Sequence, residues 1–413
     1  MKLTVLLATT ARWFPTARLA MALANAGFIV DAVCPAGHPL GKMKAVRQTH
    51  AYRGLAPLAS FADAMAASKP DCVIPGDDLA TSHLHGLHDR ARQQGEAGQA
   101  IRELIERSLG APESFPVVCE RSQFMDIARD VGIRAPKTKA IENREDLREW
   151  LAGNGFPAVL KANGTSGGDG VRIVHTMEEA ERALRALQAP PLLARAAKRA
   201  LADQDRTLVW PSVLRHRPVV NAQVFVAGRE ATSTVACWQG NILASLHFEM
   251  VHKLDSSGPS SVLRLTENPE MAAAAEKMVR RLNLSGLHGF DFMLEGQTGN
   301  AHLIEINPRA TQIGHLALGQ SRDLPAALYS ALSGEPVHAA PKVTENDTIT
   351  LFPQEWMRDP ASSFLVSGYH DVPWEEPELL RACVRRRSKT TLRWSAESSA
   401  QTLSTSTVRL PPA

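Results

Sequence analysis

Short apolar runs alternate with amphipathic stretches through the first 115 residues of the chain. Residues 2–8 form an apolar run of strand length, and 15–26 follow with helical spacing, Pro15 at the start and Gly27 just past the end. Residues 28–34 read as a strand, 57–68 as a helix and 71–75 as a further strand. Strands separated by helices predict a parallel sheet with helices on its faces. Ligands of such sheets sit beyond the carboxyl ends of the strands, which puts Pro75-Gly76-Asp77-Asp78 at a rim. Asp77 and Asp78 could bind an amine there, and capping the next helix is the simpler task.

The pattern changes further along. Residues 121–132 read as an amphipathic helix, and Asn143 as the N-cap of a helix running through Trp150. Then come a strand (156–162), a glycine-rich loop (164–170), a strand (171–175) and a helix (177–187), with an Arg-rich helix around 192–205. Residues 219–226, 230–238 and 242–247 are strand-like, and Asn268-Pro269 opens a long helix through Leu282. A hairpin is predicted from 287–295 and 301–306, across Gly296-Gln297-Thr298-Gly299. From about residue 336 the texture is Pro-rich, with Trp356 and Trp374 either packing on the preceding domain or bordering its substrate site. The Ser/Thr-rich composition of 394–413 predicts a disordered tail.

At 413 residues the chain is expected to hold two or three domains, here 1–115, 116–335 with a subdomain over 137–220, and a segment 336–393. Its net charge is only +3, too little to argue for nucleic acid as a partner, and no apolar run approaches the roughly 18 residues that span a bilayer. The five cysteines include no CxxC pair, as expected of thiols in a reducing cytosol. Ala24-Asn25-Ala26 looks like a leader cleavage site, but Arg12 and Arg18 interrupt the apolar region it would need. The expected location is the cytoplasm. No GxGxxG follows the first strand and no GxxxxGK[ST] occurs, which removes dinucleotide-fingerprint and P-loop chemistry. His83, His85 and His88 keep no single helical spacing, so a solvated helix face is expected rather than zinc. Arg385-Arg386-Arg387 and Lys389 follow Asp371, Glu375, Glu376 and Glu378, a pattern of intramolecular or solvent-facing charge.

Two stretches carry chemistry. In the hairpin GFDFMLEGQTGNAHLIEINPRA (289–310), alternation puts Glu305, Asn307 and Arg309 on one face. Folding about Thr298 sets Asp291 opposite Glu305, with Phe290, Phe292, Ile304 and Ile306 facing the core. Hard oxygen donors converging from two strands suit Mg²⁺. In FPAVLKANGTSGGDGVRIV (156–174) a buried strand delivers Lys161, and Gly164, Gly167, Gly168 and Gly170 follow. Glycines let backbone N–H groups approach anionic oxygens, and the lysine adds a point charge for phosphates.

Together these stretches, a Lys-bearing strand, a Gly-rich loop and, some 130 residues on, D-x-F…I-E-I-N-P-R, resemble the ATP-grasp superfamily over about 116–335. The resemblance implies an N-terminal parallel α/β domain, two α+β subdomains clasping ATP, and a small C-terminal segment. It implies ATP and Mg²⁺ (Mn²⁺ as an alternative), with Asp291, Glu305 and Asn307 holding the metal and Lys161 on the phosphates. Gly164–Gly170 would be the lid, Gln223, Val224, Phe225 and Val226 the adenine-reading hinge, and Arg309 the group steadying the transferred phosphoryl. Lys253 and Arg264 fall where relatives contact the carboxylate substrate. In two places the chain departs from the pattern: Arg121 stands near the usual lysine, and Val224 replaces the hinge acid. The implied activity is ligation of a small carboxylate to an amine through an acyl-phosphate, in a protein that could self-associate. A grasp-fold kinase and a nucleotide-binding regulator without turnover are the alternatives; biotin carboxylase is disfavoured, because the chain carries no lipoyl-like carrier region.

Overall fold

A computed structural model describes residues 2–164, 170–189, 217–255, 258–336, 338 and 340–383. The N-terminal domain is a four-stranded parallel sheet in the order β3-β2-β1-β4, with β1 Thr4–Ala8, β2 Ile29–Cys34, β3 Val46–Ala51 and β4 Cys72–Pro75. The helices Pro15–Asn25 and Pro57–Ser68 lie where the apolar spacing puts them. β3 has no counterpart in the sequence reading. Its sequence VRQTHA is mostly exposed, and an edge strand with so little apolar surface to bury has no apolar pattern to show.

A second sheet, in the order β5-β8-β6-β7, is antiparallel: β5 Thr138–Ile141, β6 Ala158–Ala162, β7 Val171–Val174 and β8 Val220–Val224. Helices Arg144–Asn154 and Met177–Leu187 cover it, and Asn143 caps the first by accepting from Asp146 N at 2.9 Å. The predicted helix around 192–205 and the 394–413 tail lie outside the described residues.

The third sheet has seven strands in the order β13-β12-β9-β10-β11-β14-β15. These are β9 Gly228–Trp238, β10 Asn241–Lys253, β11 Ser260–Leu265, β12 Gly286–Glu295, β13 Ala301–Asn307, β14 Thr348–Leu351 and β15 Tyr369–Asp371. One face packs Phe290, Phe292 and Leu303 on the helices Arg121–Asp130 and Pro269–Arg281. The other face joins the N-terminal domain: Phe248, Leu263 and Ile349 share a core with Leu19 and Leu23 of Pro15–Asn25 and Leu328 of Leu324–Ser333. The segment after 336 therefore extends this sheet through β14 and β15. Trp356 stacks on Phe352, whereas Trp374 is 73% exposed. Among the described residues no helix is long and apolar enough to cross a membrane.

Gly110 joins the first domain to this sheet at a bridge with Leu284, at φ +101°; a Cβ there would lie 2.2 Å from Asn283 O. Gly110→Ala is therefore expected to destabilise by about 2 kcal/mol or more, combining backbone strain with a steric clash. A lowered denaturant midpoint checks this, and an unchanged midpoint would contradict it.

Candidate active site

β12 and β13 pair with Asp291 directly opposite Glu305 and Gly289 opposite Asn307, the register expected from folding about Thr298. The register then shifts, so that Phe292 pairs with Leu303 and Ile304 becomes the extra residue of a bulge. That corrects one expectation. Phe290, Phe292 and Ile306 are buried in the core, but Ile304 turns to the opposite face and lines a cleft with Glu305. At Gly289 the chain passes so close to Thr311 that a Cβ would lie 2.3 Å from its Cγ2.

The cleft, about 510 Å³, lies on the sheet face that also packs on the N-terminal domain. Along β12 and β9 that face switches from apolar (Leu287, Ala236) to polar (Asp291, Thr232), and the switch marks where the cleft begins. Asp291 accepts from Thr232 Oγ1 at 2.8 Å and from Asn307 Nδ2 at 2.9 Å. Burial, and then the facing Glu305, push its carboxyl pKa up. Glu305 is gripped by Arg121, whose Nη2 lies 2.7 Å from Oε1. Arg309 donates to Asp78 Oδ1 and to Asn307 Oδ1, each at 3.0 Å. Burial alone would lower the pKa of Arg309, but Asp78 outweighs it and the group stays charged. Ala310 N donates to Pro75 O and Thr81 Oγ1 to Pro308 O, pinning the loop after β13 to the rim of the first sheet. Asp77 caps the helix Asp78–Gln93, accepting from Ala80 N at 2.8 Å.

From the second sheet, Lys161 at the end of β6 enters the cleft while 6% exposed. Burial and the Arg121 guanidinium lower its ammonium pKa to about 8, against the pull of Glu305 and Asp291. Ala162 N donates to Gly170 O at 2.9 Å, closing the base of the loop that Gly164 opens; Gly167 and Gly168 lie outside the described residues. Gln223, Val224, Phe225 and Val226 line the cleft where the chain passes from β8 to β9. Gln223 Nε2 donates to Thr138 Oγ1 at 3.0 Å, which holds this passage against β5.

The two expected substrate residues part company. Lys253 lines the cleft, paired with Glu230 at 2.7 Å, whereas Arg264 is exposed on β11 and does not line it. Glu230, Thr232, Trp13 and Gln312 also line the cleft and were not singled out from sequence; strand alternation along β9 is the signal that could have found the first two. The histidines are not a solvated face, because the helix Asp78–Gln93 is flanked by two others. His83 Nε2 lies 3.0 Å from Tyr52 Oη, His85 stacks on Phe115 and His88 pairs with Glu106 at 2.8 Å.

The family model for the carbamoyl-phosphate synthase L chain, ATP binding domain, matches residues 120–317, a span that holds Arg121, Lys161, Asp291, Glu305, Asn307 and Arg309. That stretch, just under half of the chain, matches an ATP-grasp domain. Relatives of the chain include the carbamoyl phosphate synthase large chains of Methanoculleus marisnigri, 24% identical over 260 residues, and Methanosphaerula palustris, 26% over 255. These alignments cover 62% and 60% of this chain, which spans about a fifth of those relatives (22% and 21%). The N5-carboxyaminoimidazole synthetase of Staphylococcus aureus, solved with ADP, has a TM-score of 0.55 at 12% identity, covering 83% of this chain and 80% of that one. The biotin carboxylase domain of the Hydrogenobacter thermophilus 2-oxoglutarate carboxylase, solved with MgADP and bicarbonate, scores 0.55 at 13%, covering 82% and 72%. The second sheet and the β12–β13 hairpin both line the cleft, with Lys161 on the first and Glu305 on the second.

Proposed function

We propose that the protein is a Mg-ATP-dependent carboxylate–amine ligase acting in the cytoplasm on small molecules. One observation carries the reading: Asp291, Glu305 and Asn307 converge in a single cleft with Lys161, Arg121 and Arg309. The donor set fits a hard divalent cation. Two carboxylates face one another, one of them buried with its pKa raised, and an amide oxygen stands beside them. Such a cation, when bound, offsets charge on the phosphates. Lys161 and Arg121 then hold phosphate oxygens, with Gly164–Gly170 closing over them, and the passage Gln223–Val226 cradles the adenine. Arg309, anchored by Asp78, orients the transferred phosphoryl group. A substrate carboxylate attacks the γ-phosphorus, giving an acyl-phosphate and ADP, and an amine then displaces phosphate. The protein's part is positioning and charge neutralisation, with water excluded from the acyl-phosphate.

The test is Mg²⁺-dependent ADP release by the purified protein, with carboxylic acids and amines supplied singly and in pairs. A requirement for both supports the ligase, and release with one hydroxylated compound would make it a kinase. A nucleotide-binding regulator is the second reading, favoured by the grip of Arg121 on Glu305. It predicts a Mg-ATP thermal shift with no substrate-dependent release.

Lys161 gives the binding step a pH signature. Below about pH 8 its ammonium is charged in the free protein, and phosphate oxygens favour that form. ATP affinity is therefore expected to be full below about pH 8 and to weaken as pH rises through it. Lys161→Arg should flatten the profile between pH 7 and 9.5. A wild-type profile already flat there would remove Lys161 from the phosphate site.

A further inference from the structure

The cleft is lined from several strands of the large sheet, and the residues from those strands differ in chemistry. Its floor crosses the large sheet from Glu305 on β13 and Asp291 on β12, past Thr232 on β9, to Met250 on β10 and Ser260 on β11. From β12 to β11 is three strand spacings, about 14 Å. Trp13, in the loop after β1, lines the same cleft, as do Ile313 and Gln312. Phe14, next to Trp13, packs edge-on against Phe352 at 5.6 Å, tying this loop to the end of β14. Gln354 Nε2 donates to Gln312 Oε1 at 3.2 Å, while Gln354 is 7% exposed and its Oε1 has no partner. Two cations of the cleft are already matched, Lys253 by Glu230 and Arg309 by Asp78. A dianionic phosphate placed here would meet no free counter-charge among these groups, whereas an uncharged group would meet an indole, a thioether and an amide.

We propose, building on the ligase reading, that the β10–β11 end of the cleft binds the uncharged apolar or aromatic side group of the second substrate. Trp13, Met250 and Ile313 form the wall and Gln312 the polar contact. The substrate class is a non-phosphorylated amino or carboxylic acid with a hydrophobic side chain. Aromatic contacts of this kind contribute about 0.5–1.5 kcal/mol beyond burial, enough to rank ligands.

The experiment is calorimetric binding to the full chain with Mg²⁺ and a non-hydrolysable ATP analogue. The probes are L-phenylalanine and L-leucine, set against L-glutamate and O-phosphoserine. The hydrophobic pair is expected to bind at least tenfold tighter. Trp13→Ala should weaken phenylalanine at least tenfold, with Trp13→Phe restoring it and the affinity for the analogue unchanged in both. Equal or tighter binding of the charged pair, binding of neither pair, or an unaffected Trp13→Ala variant would overturn the proposal. Binding of the analogue, titrated separately, shows whether the nucleotide site stands regardless. Its failure would instead count against the ligase reading.

Discussion

Lys161→Met is expected to abolish ADP release, by about three orders of magnitude, while making the protein more stable. The loss follows from removing a positioned cation on transferring phosphate in a site shielded from water. The gain follows from burial. Lys161 forms no ion pair with a described carboxylate, and its pKa is lowered from 10.5 to about 8. At 1.36 kcal/mol per unit the charged form costs the folded state about 3 kcal/mol at pH 7. That cost is fully present below about pH 8 and disappears as pH rises past 10.5, so the stability advantage of methionine should vanish there. Glu305→Ala should lose ADP release to a similar degree, but without the gain, because it leaves Arg121 unpaired. Denaturant midpoints alongside turnover check both variants. Retained turnover in both would remove the catalytic assignment.

Asp371→Ala should have the largest effect on stability, about 3–5 kcal/mol. Asp371 is 1% exposed at the end of β15, where it pairs with Arg18 of the first helix and accepts from His315 Nε2 at 2.6 Å. Truncation leaves two cationic or donor groups without their acceptor in the joint between the chain's ends. Burial alone would raise the pKa of Asp371, but His315 and Arg18 hold it below its ordinary value. The contribution is therefore present above the ordinary carboxylate range and lost as pH falls through the depressed value. Arg53→Ala, which removes the exposed pair with Asp63, should change the midpoint by less than about 1 kcal/mol and serves as the control. Equal effects in the two variants would contradict the assignment.

What sequence could and could not convey follows from the range of the forces involved. The register of the β12–β13 hairpin was legible because alternation and a four-residue turn are local, and they place Asp291 opposite Glu305 without further information. The bulge at Ile304 was not, since it depends on how two strands meet. The Arg121–Glu305 pair joins residues 184 positions apart, which no local pattern reveals. Arg264 looked suitable by position along the chain, but it sits exposed on β11, outside the cleft. The histidines of Asp78–Gln93 looked solvated because a helix wedged between two others carries polar residues on more than one contact face. β3 stayed hidden for the opposite reason, having little apolar surface to bury.

The shared core of the first domain and the large sheet also has a consequence for synthesis. Leu19 and Leu23 leave the ribosome long before Phe248 and Leu263, which help complete the core they share, about 230 positions later. At roughly 5–20 residues per second that is a wait of about 10–50 s with this core incomplete. For that interval the nascent first domain is a natural client for chaperones that shield apolar surface. The yield of folded protein should depend on translation speed across the intervening stretch.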